Sequence, residues 1–185
     1  DSASAAVAGT CRDQAGNAGS ASLALKYDAT APVTTAAPSR QPNANGWFNA
    51  PLIVSFAATD ATSTVDSCDA AHGYSGPAIA TTALAGTCRD KAGNSGWASY
   101  AIKYDATAPQ TTAAPSRQPN ASGWYTAPLT VGFSATDATS TIDSCDAAKS
   151  YSGPDIGSTT VTGACRDEAG NSGASGFALK YDASA

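Results

Sequence analysis

The chain has 185 residues, a formal net charge of −5, a charged fraction of only 14% and no methionine. This charged fraction is about half of the usual quarter, and no basic stretch is present, so the sequence lacks the electrostatic footprint of a nucleic-acid-binding protein. No apolar run approaches the roughly 18 residues of a membrane-spanning helix, and the scarcity of Glu, Lys and Leu excludes a coiled coil or a helical bundle.

The dominant feature of the sequence is an internal repeat of 77 residues. Residues 29–105 align with residues 106–182 without a gap, and 54 of the 77 positions are identical. Residues 1–28 match the last part of the same unit, and residues 183–185 match the start of the next linker. A period of this length exceeds the 20–50 residues of common solenoid repeats and suits a small independent domain. The sequence therefore predicts two whole domains that follow the C-terminal part of a third.

Differences between the two copies predict the strands. Leu52, Val54 and Phe56 recur unchanged 77 residues later, while the positions between them vary, which is the period-two pattern of a half-buried strand. The same alternation predicts further strands near residues 82–88 and 100–104. Turn clusters such as Ala-Gly-Asn separate these segments, and no amphipathic helical pattern is present. Short alternating strands with frequent turns predict an all-β fold of tandem antiparallel sandwiches.

Cysteine spacing predicts disulfides. Each whole unit contains two cysteines 20 residues apart, Cys68 with Cys88 and Cys145 with Cys165. The spacing differs from that of zinc sites, which use closely spaced pairs or nearby histidines. We therefore predict two buried disulfides, each worth roughly 3 kcal/mol in the chain-entropy model, and an extracellular or periplasmic location. Cys11 occupies the Cys88 position of the incomplete unit, so we expect it to be unpaired because its partner would precede residue 1.

Residues 1–28 supply only the last strands of a unit, roughly Ala6–Cys11 and the segment 23–27. Alone, these strands would expose an apolar face and unpaired edges, which is unfavourable. Either the missing part belongs to a longer chain, or a neighbouring chain supplies it by strand addition. The strict phase of the repeat favours the longer chain.

Four segments carry a resemblance to a known family, namely 57–68 (AATDATSTVDSC), 74–77 (YSGP), 86–94 (GTCRDKAGN) and 103–109 (KYDATAP). They resemble bacterial Ig-like repeats, similar to the hyalin-type units of long secreted or surface proteins. The resemblance implies a sandwich of about seven strands that serves as a spacer in surface adhesins, phage fibres and secreted hydrolases. It also implies adjacent Ig-like repeats of the same longer chain as partners, and lateral or end-to-end copies in a fibre.

No catalytic constellation recurs between the copies. His72 is the only histidine, and Lys149 replaces it in the second copy. Glu168 is likewise Lys91 in the first copy. General acid–base chemistry needs a positioned partner for such a group, and the sequence offers none. We therefore expect that the chain is not an enzyme.

Trp47 and Trp124 precede a predicted strand in each copy. Exposed tryptophans stack on sugars, which would suit a glycan-binding module. Buried tryptophans would instead cover the edge of a small core that is otherwise rich in alanine. The buried interpretation is favoured, and the ligand-binding one is the alternative.

Aspartates near the predicted strand ends are the main functional candidates. In an Ig-like sandwich, the loops after the second and sixth strands lie at the end where the first strand begins, so their carboxylates can converge. Carboxylate and amide oxygens are the ligands that calcium requires. In the alternative, each aspartate caps its own turn or pairs with Arg89 or Arg166. The two candidate calcium sites comprise Asp28, Asp60, Asp90 and Asn94, and Asp105, Asp137, Asp167 and Asn171.

Together these features predict a structural stalk or fibre segment of an extracellular bacterial surface protein or adhesin. Constant core positions with varying exposed positions suit a spacer, and the short Thr-Ala-Pro linkers limit bending between repeats. The alternative is a glycan- or ligand-binding accessory module of a secreted protein or hydrolase. We expect no nucleic-acid partner and no cofactor other than calcium.

Overall fold

The structure, a computed structural model, describes residues 1–184, so the last residue of the predicted linker 183–185 lies outside it. The described residues form sixteen β-strands joined by turns and contain no helix. The fold is therefore all-β, as the alternating pattern predicts. Among these residues there is consequently no helix of the length and hydropathy that crossing a membrane requires.

The described chain divides into two compact units. The first contains Asp1–Arg40, Leu52–Tyr74 and Ala83–Ala101. The second contains Gln41–Pro51, Ser75–Thr82 and the chain from Ile102 onward. The repeat boundaries after residues 28, 105 and 182 remain a prediction from the sequence.

The first two strands form an antiparallel hairpin, with β1 at Ser2–Arg12 and β2 at Ala18–Tyr27. The strands pair residue by residue from Ala5 with Leu25 to Arg12 with Ala18. Both are longer than the segments predicted from the sequence. This hairpin corresponds in sequence to the last two strands of each whole repeat.

Each whole repeat contributes seven strands in the same order. In the first copy, β3–β9 are Val33–Pro38, Trp47–Phe48, Leu52–Thr59, Val65–Cys68, His72–Tyr74, Ile79–Asp90 and Ser95–Tyr104. In the second copy, β10–β16 are Gln110–Pro115, Trp124–Tyr125, Leu129–Thr136, Ile142–Cys145, Lys149–Tyr151, Ile156–Asp167 and Ser172–Tyr181.

The strands of each repeat form one sheet of three strands and one of four, which gives the seven-stranded Ig-like sandwich. The orders are β3-β5-β7 and β4-β9-β8-β6, repeated as β10-β12-β14 and β11-β16-β15-β13. One detail differs from a purely antiparallel arrangement. The two-residue strands β4 and β11 pair in parallel with β9 and β16, and in each copy the chain passes from the three-stranded to the four-stranded sheet just before them.

The period-two strands supply the core, as predicted. Leu52, Val54 and Phe56 of β5 are all buried, and Val54 is fully so. In the second copy Leu129 and Val131 of β12 are buried in the same way. The buried cluster there consists of Tyr125, Leu129, Val131, Leu179 and Tyr181, with Phe133, Val161 and Phe177 packed against it.

A glycine faces the phenylalanine of each inner strand. A Cβ atom on Gly86 would lie 2.5 Å from the ring of Phe56, and one on Gly163 would lie 2.6 Å from the ring of Phe133. Both distances are shorter than any van der Waals contact. Glycine is unfavourable inside a strand unless another group approaches its backbone closely. The aromatic ring is that group in both copies.

The two disulfides join Cys68 to Cys88 and Cys145 to Cys165. Each links two residues that face each other directly on adjacent strands of the four-stranded sheet. Cys88 and Cys165 are buried. The prediction that both disulfides are buried holds for these two cysteines and is wrong for their partners, because Cys68 and Cys145 lie on short edge strands and are only partly buried. Cys11 is a free, exposed thiol.

The tryptophans before β5 and β12 differ in burial. Trp47 is 5% exposed and Trp124 is half-buried. Lys103 lies over the Trp47 ring, and Lys180 lies over the Trp124 ring, with Nζ 5.6 Å and 5.9 Å from the ring centroids. The alternative in which Trp47 stacks on a sugar is wrong for this structure, since its ring is covered by protein.

The contact between phenylalanine and glycine makes a testable prediction for the second copy. Gly163→Ala should lower the free energy of unfolding by about 1–3 kcal/mol, because a methyl group must displace the Phe133 ring from a filled core. Gly157→Ala is the matched control on the same strand, where the added Cβ meets nothing within 4 Å. Urea denaturation followed by circular dichroism measures both effects. Equal stabilities for the two variants would contradict this packing.

Candidate metal centres

Two groups of three aspartates converge at strand ends. Asp28 follows β2, Asp60 follows β5, and Asp90 is the last residue of β8. One oxygen from each of these carboxylates lies within 4.8 Å of the other two. All three residues belong to the first compact unit. The sequence prediction that they converge therefore agrees with the geometry.

The second group repeats this arrangement within the second compact unit. Asp105 follows β9, Asp137 follows β12, and Asp167 ends β15. Their oxygens also lie within 4.8 Å of one another. Asp105 and Asp167 are buried, and Asp137 is half-buried. Three carboxylates at this separation repel one another unless donors or a cation compensate.

Backbone donors of a tight turn hold Asp60 in the first group. Its Oδ1 accepts hydrogen bonds from the amides of Thr62, Ser63 and Thr64 at 2.8–3.1 Å. Asp28 is held less completely, because its Oδ1 accepts one bond, from Thr30 N at 3.1 Å. The Oδ2 atom of Asp28 is buried and has no hydrogen-bond partner. A buried carboxylate oxygen without a donor is costly, and a bound cation would offset that cost.

The second group contains an extra donor at the corresponding atom. Asp105 Oδ2 accepts a hydrogen bond from the hydroxyl of Ser140 at 2.6 Å and one from its amide at 3.2 Å. Asp105 Oδ1 is bonded by Thr107 N, and Asp137 Oδ1 accepts from the amides of Thr139 and Ser140. The two groups thus contain the same three kinds of carboxylate and differ in the hydrogen bonding of one oxygen, which is Oδ2 of Asp28 in the first group and Oδ2 of Asp105 in the second.

An asparagine four residues later clamps the last aspartate of each group. Asn94 donates from its amide N and from Nδ2 to the two oxygens of Asp90, both at 2.8 Å, and Nδ2 also donates to the Asp28 carbonyl at 3.2 Å. Asn171 makes the same bonds to Asp167 and to the Asp105 carbonyl. The amide nitrogen faces the carboxylate, so the predicted role of Asn94 and Asn171 as oxygen ligands is replaced by a positioning role.

The same clamp exists in the hairpin without a carboxylate cluster. Asn17 donates from N and Nδ2 to the two oxygens of Asp13, at 2.8 and 2.7 Å. Gly16 supplies the positive φ of 94° that this turn requires. Asp13 belongs to neither group of three. The clamp is therefore a property of the Asp-x-x-Gly-Asn turn, and the convergence of three carboxylates is an additional feature.

Hydrogen bonding governs the titration of Asp90. Burial raises the pKa of its carboxyl group, but the hydrogen bonds from the Asn94 side chain and from the backbone amides of the turn outweigh it and hold the pKa below its ordinary value. The pKa of Asp13 is also lowered, mainly by the hydrogen bond from the Asn17 side chain. Both carboxylates are thus kept ionised by local donors.

Arginine does not neutralise these groups. Within residues 1–184 the ion pair closer than 4.0 Å joins Lys149 to Asp146. Arg166, the neighbour of Asp167, instead donates to the Gly170 carbonyl at 3.3 Å. The alternative in which Arg89 or Arg166 pairs with the clustered aspartates is therefore not what the structure shows.

Other residues considered from the sequence lie elsewhere. His72 is exposed, with its ring edge-on to Phe56 at a centroid distance of 5.3 Å. The feature that sequence reasoning missed is Trp97, whose side chain is 73% exposed on β9. The available signal was the alternation of inward and outward side chains along β9. Gly96 and Ala98 lie on the inward face, so Trp97 between them faces outward.

No protein-family model matches the chain, and no curated protein sequence matches it. Among solved structures, the fibronectin(III)-like modules of Clostridium thermocellum CbhA align with a TM-score of 0.40 at 10% identity, over 80% of this chain and 93% of that chain. A 1.5-MDa bacterial ice-binding adhesin aligns with a TM-score of 0.42 at 14% identity, over 97% and 74%. A tetra-tandem repeat from the extending region of a large adhesion protein aligns at 0.29 and 21% identity, over 97% and 57%. The function proposed below therefore rests on the residues of this chain.

The clamp predicts how Asp90 responds to acid. Its lowered pKa stabilises the fold at pH values above the ordinary value of 3.8, and this stabilisation is lost as the pH falls through the folded-state pKa. Asn94→Ala removes the side-chain donor and keeps the backbone donors of the turn, so the effect of burial is opposed less and the pKa of Asp90 should rise. Carboxyl ¹³C NMR titration in the presence of a chelator measures it. Asn17→Ala is the control, which should move Asp13 alone; an unchanged Asp90 in Asn94→Ala would contradict the clamp.

Proposed function

We propose that this chain is a segment of the stalk or fibre of an extracellular bacterial surface protein, an adhesin built from tandem Ig-like repeats. The observation that carries the proposal is the distribution of differences between the two copies. Most differing positions are exposed, and the two buried ones are conservative, with Phe48 replaced by Tyr125 and Ile102 by Leu179. The core and the aspartate groups recur, and the differences that do occur fall mainly at exposed positions, which suits a spacer.

The disulfides support an extracellular location for such a segment. Each pair closes a separation of 20 residues, which is worth roughly 3 kcal/mol in the chain-entropy model. That is a substantial share of the stability of a small domain. Disulfides of this structural kind persist in oxidising compartments.

The arrangement of titratable groups favours a mechanical role over catalysis. His72 packs against Phe56 and is a lysine in the second copy. The clustered carboxylates accept hydrogen bonds from turn amides and clamping asparagines, and the Ser140 hydroxyl that donates to Asp105 has no counterpart bond to Asp28 Oδ2 in the first copy. We therefore assign the aspartates to structure.

Calcium suits both aspartate groups. Calcium–oxygen distances are about 2.3–2.6 Å, so two oxygens on one ion lie at most about 5 Å apart. The carboxylate oxygens of each group all lie within 4.8 Å of one another and so meet this limit. Hard cations prefer carboxylate oxygens, and the buried Oδ2 of Asp28 has no donor. Asp28, Asp60 and Asp90 would hold one ion, and Asp105, Asp137 and Asp167 another. An ion at either place would tie the end of one repeat to two loops of the next.

Calcium should therefore raise the melting temperature relative to a chelator. A ligand at 100 times its dissociation constant stabilises the folded state by about 2.7 kcal/mol. The double variant Asp60→Asn/Asp137→Asn should abolish this increase, because each site loses one charge. Asparagine retains an oxygen that accepts the turn amides, and reduced repulsion should leave the melting temperature in chelator unchanged or higher.

The matched control is Asp13→Asn, which changes an aspartate with the same turn and no cluster. It should retain the full calcium-dependent increase. Differential scanning calorimetry of the three proteins in calcium and in chelator measures the effect. If the melting curves of the wild-type protein in calcium and in chelator coincide, the aspartates are turn residues that bind no calcium. The short linkers would then limit bending between repeats without a bound ion.

A second function, glycan binding, is favoured by one observation. Trp97 is a large exposed aromatic side chain, and such rings stack on sugars. Ala174 occupies its place in the second copy, so any such surface belongs to the first copy alone. Trp47 does not offer this surface, because its ring is buried, and Trp124 is half-buried.

A glycan array separates the two functions. If the chain is a spacer, the glycan-array signal of the isolated chain should not exceed the signal of the variant Trp97→Ala. Trp97 is exposed, so this substitution should leave the fold intact, which circular dichroism verifies. Binding that disappears in Trp97→Ala would assign the chain to the glycan-binding accessory modules instead.

A further inference from the structure

Two asparagine side chains of the first copy converge on one backbone carbonyl of the second. Nδ2 of Asn43 donates to the Glu168 carbonyl at 2.8 Å, and Nδ2 of Asn45 donates to the same oxygen at 3.2 Å. The donors lie in the loop between β3 and β4, and the acceptor lies in the turn between β15 and β16. All three residues belong to the second compact unit. The contact thus joins residues 125 and 123 positions apart in the sequence.

The loop that carries the donors is held in shape by Asn43. Its Oδ1 accepts hydrogen bonds from the amides of Asn45 and Trp47, both at 3.0 Å. Its backbone amide donates to the Trp47 carbonyl, and its backbone carbonyl accepts from Gly46 N, both at 2.9 Å. The oxygen of the Asn43 side chain therefore closes the turn, and the nitrogen of the same side chain donates to Glu168.

The second copy builds the same turn without the second asparagine. Oδ1 of Asn120 accepts hydrogen bonds from the amides of Ser122 and Trp124, both at 3.0 Å. Ser122 occupies the position of Asn45. The turn therefore uses a side-chain oxygen at its first position and does not need an amide side chain at its third. The Asn45 side chain is explained by its bond to Glu168 and not by its own turn.

The Glu168 carbonyl is available because its own turn does not use it. The backbone bonds that close this turn run from Gly170 N to the Asp167 carbonyl and from Asp167 N to the Asn171 carbonyl. A carbonyl oxygen can accept two hydrogen bonds, and the two asparagines supply both. A cavity of about 270 Å³ lies beside the contact and is lined mainly by polar residues of the loop and the turn. Direct hydrogen bonds, and not apolar packing, therefore hold this contact.

The same turn is held at a second point by the end of the first copy. Nδ2 of Asn171 donates to the Asp105 carbonyl at 3.0 Å, and Asp105 directly follows β9. One attachment point would let the turn rotate about its bond, whereas two separate points restrain its orientation. The two asparagine bonds to Glu168 therefore act against rotation about the linker that follows Asp105.

We propose that Asn43 and Asn45 form a latch that restrains the orientation of the second repeat about this linker and that persists when no cation is bound. The latch joins neutral amide donors to a backbone carbonyl, so a chelator does not remove it. The inference deepens the proposed stalk function and rests on it for its biological role, because a stalk keeps its length only if its repeats keep their orientation.

The test measures the distance between two spin labels by electron paramagnetic resonance in the presence of a chelator. Ala101→Cys and Ala178→Cys place the labels at equivalent exposed positions of β9 and β16, and Cys11→Ser removes the free thiol. The double variant Asn43→Asp/Asn45→Ser keeps the Oδ1 acceptor of the turn and removes both Nδ2 donors. The distance distribution should broaden, because each lost hydrogen bond shifts the ratio of latched to released chains by roughly 2- to 12-fold.

Asn45→Ser alone installs the serine of the second copy, whose turn has the same bonds. It removes one of the two latch bonds, so it should broaden the distribution less than the double variant. Because the substituted residue is one that this turn already accepts, circular dichroism should show an unchanged melting curve for the single variant.

Asn120→Asp is the matched control, because it makes the same change in the same turn of the second copy, outside the latch. It should leave the distance distribution unchanged. If the double variant has the same distribution as this control, the asparagines do not restrain the orientation and the proposal fails. That failure is distinct from a failure of the stalk function, because a stalk without the latch would still gain length with each added repeat.

Discussion

The fold depends on one contact, between the phenylalanine of an inner strand and the backbone of a glycine on the facing sheet. Phe56 on Gly86 and Phe133 on Gly163 bring each pair of strands closer than any side chain at the glycine position would allow. Each repeat is rich in alanine, so its aromatic rings supply much of the apolar area that can be buried. A ring seated directly on the backbone allows a domain of this size to bury that area, and the cross-strand disulfide then reinforces the same sheet.

Sequence reasoning predicts the sheet well because two copies reveal which positions are constrained. Positions such as Leu52 and Val54 stay constant, while their neighbours vary, and this separates the inner from the outer face without a structure. The parallel pairing of β4 with β9 was not predictable from alternation, because a two-residue strand has no period. The exposure of Cys68 was missed for a related reason, since the pattern does not say which strand lies at an edge.

In the candidate cation sites, the positions of the aspartates are predictable from the sequence, whereas the orientations of individual polar groups are visible only in the structure. The convergence of Asp28, Asp60 and Asp90 follows from the order of strands in an Ig-like sandwich, so sequence reasoning reaches it. The orientation of the Asn94 amide depends on a hydrogen bond within one turn, and no spacing rule predicts whether oxygen or nitrogen faces inward. The difference between Asp28 and Asp105 at Oδ2 likewise depends on where a serine hydroxyl points.

A stalk must gain length with each added repeat and keep that length under thermal motion. The most direct measurement places one, two or three tandem copies of residues 29–182 between a surface anchor and a fluorescent head and determines the height of the head by interference microscopy. In calcium, the height should rise in equal steps with a narrow distribution, and a chelator should broaden it. A height that does not increase with the number of copies would contradict the proposal that this chain is a spacer.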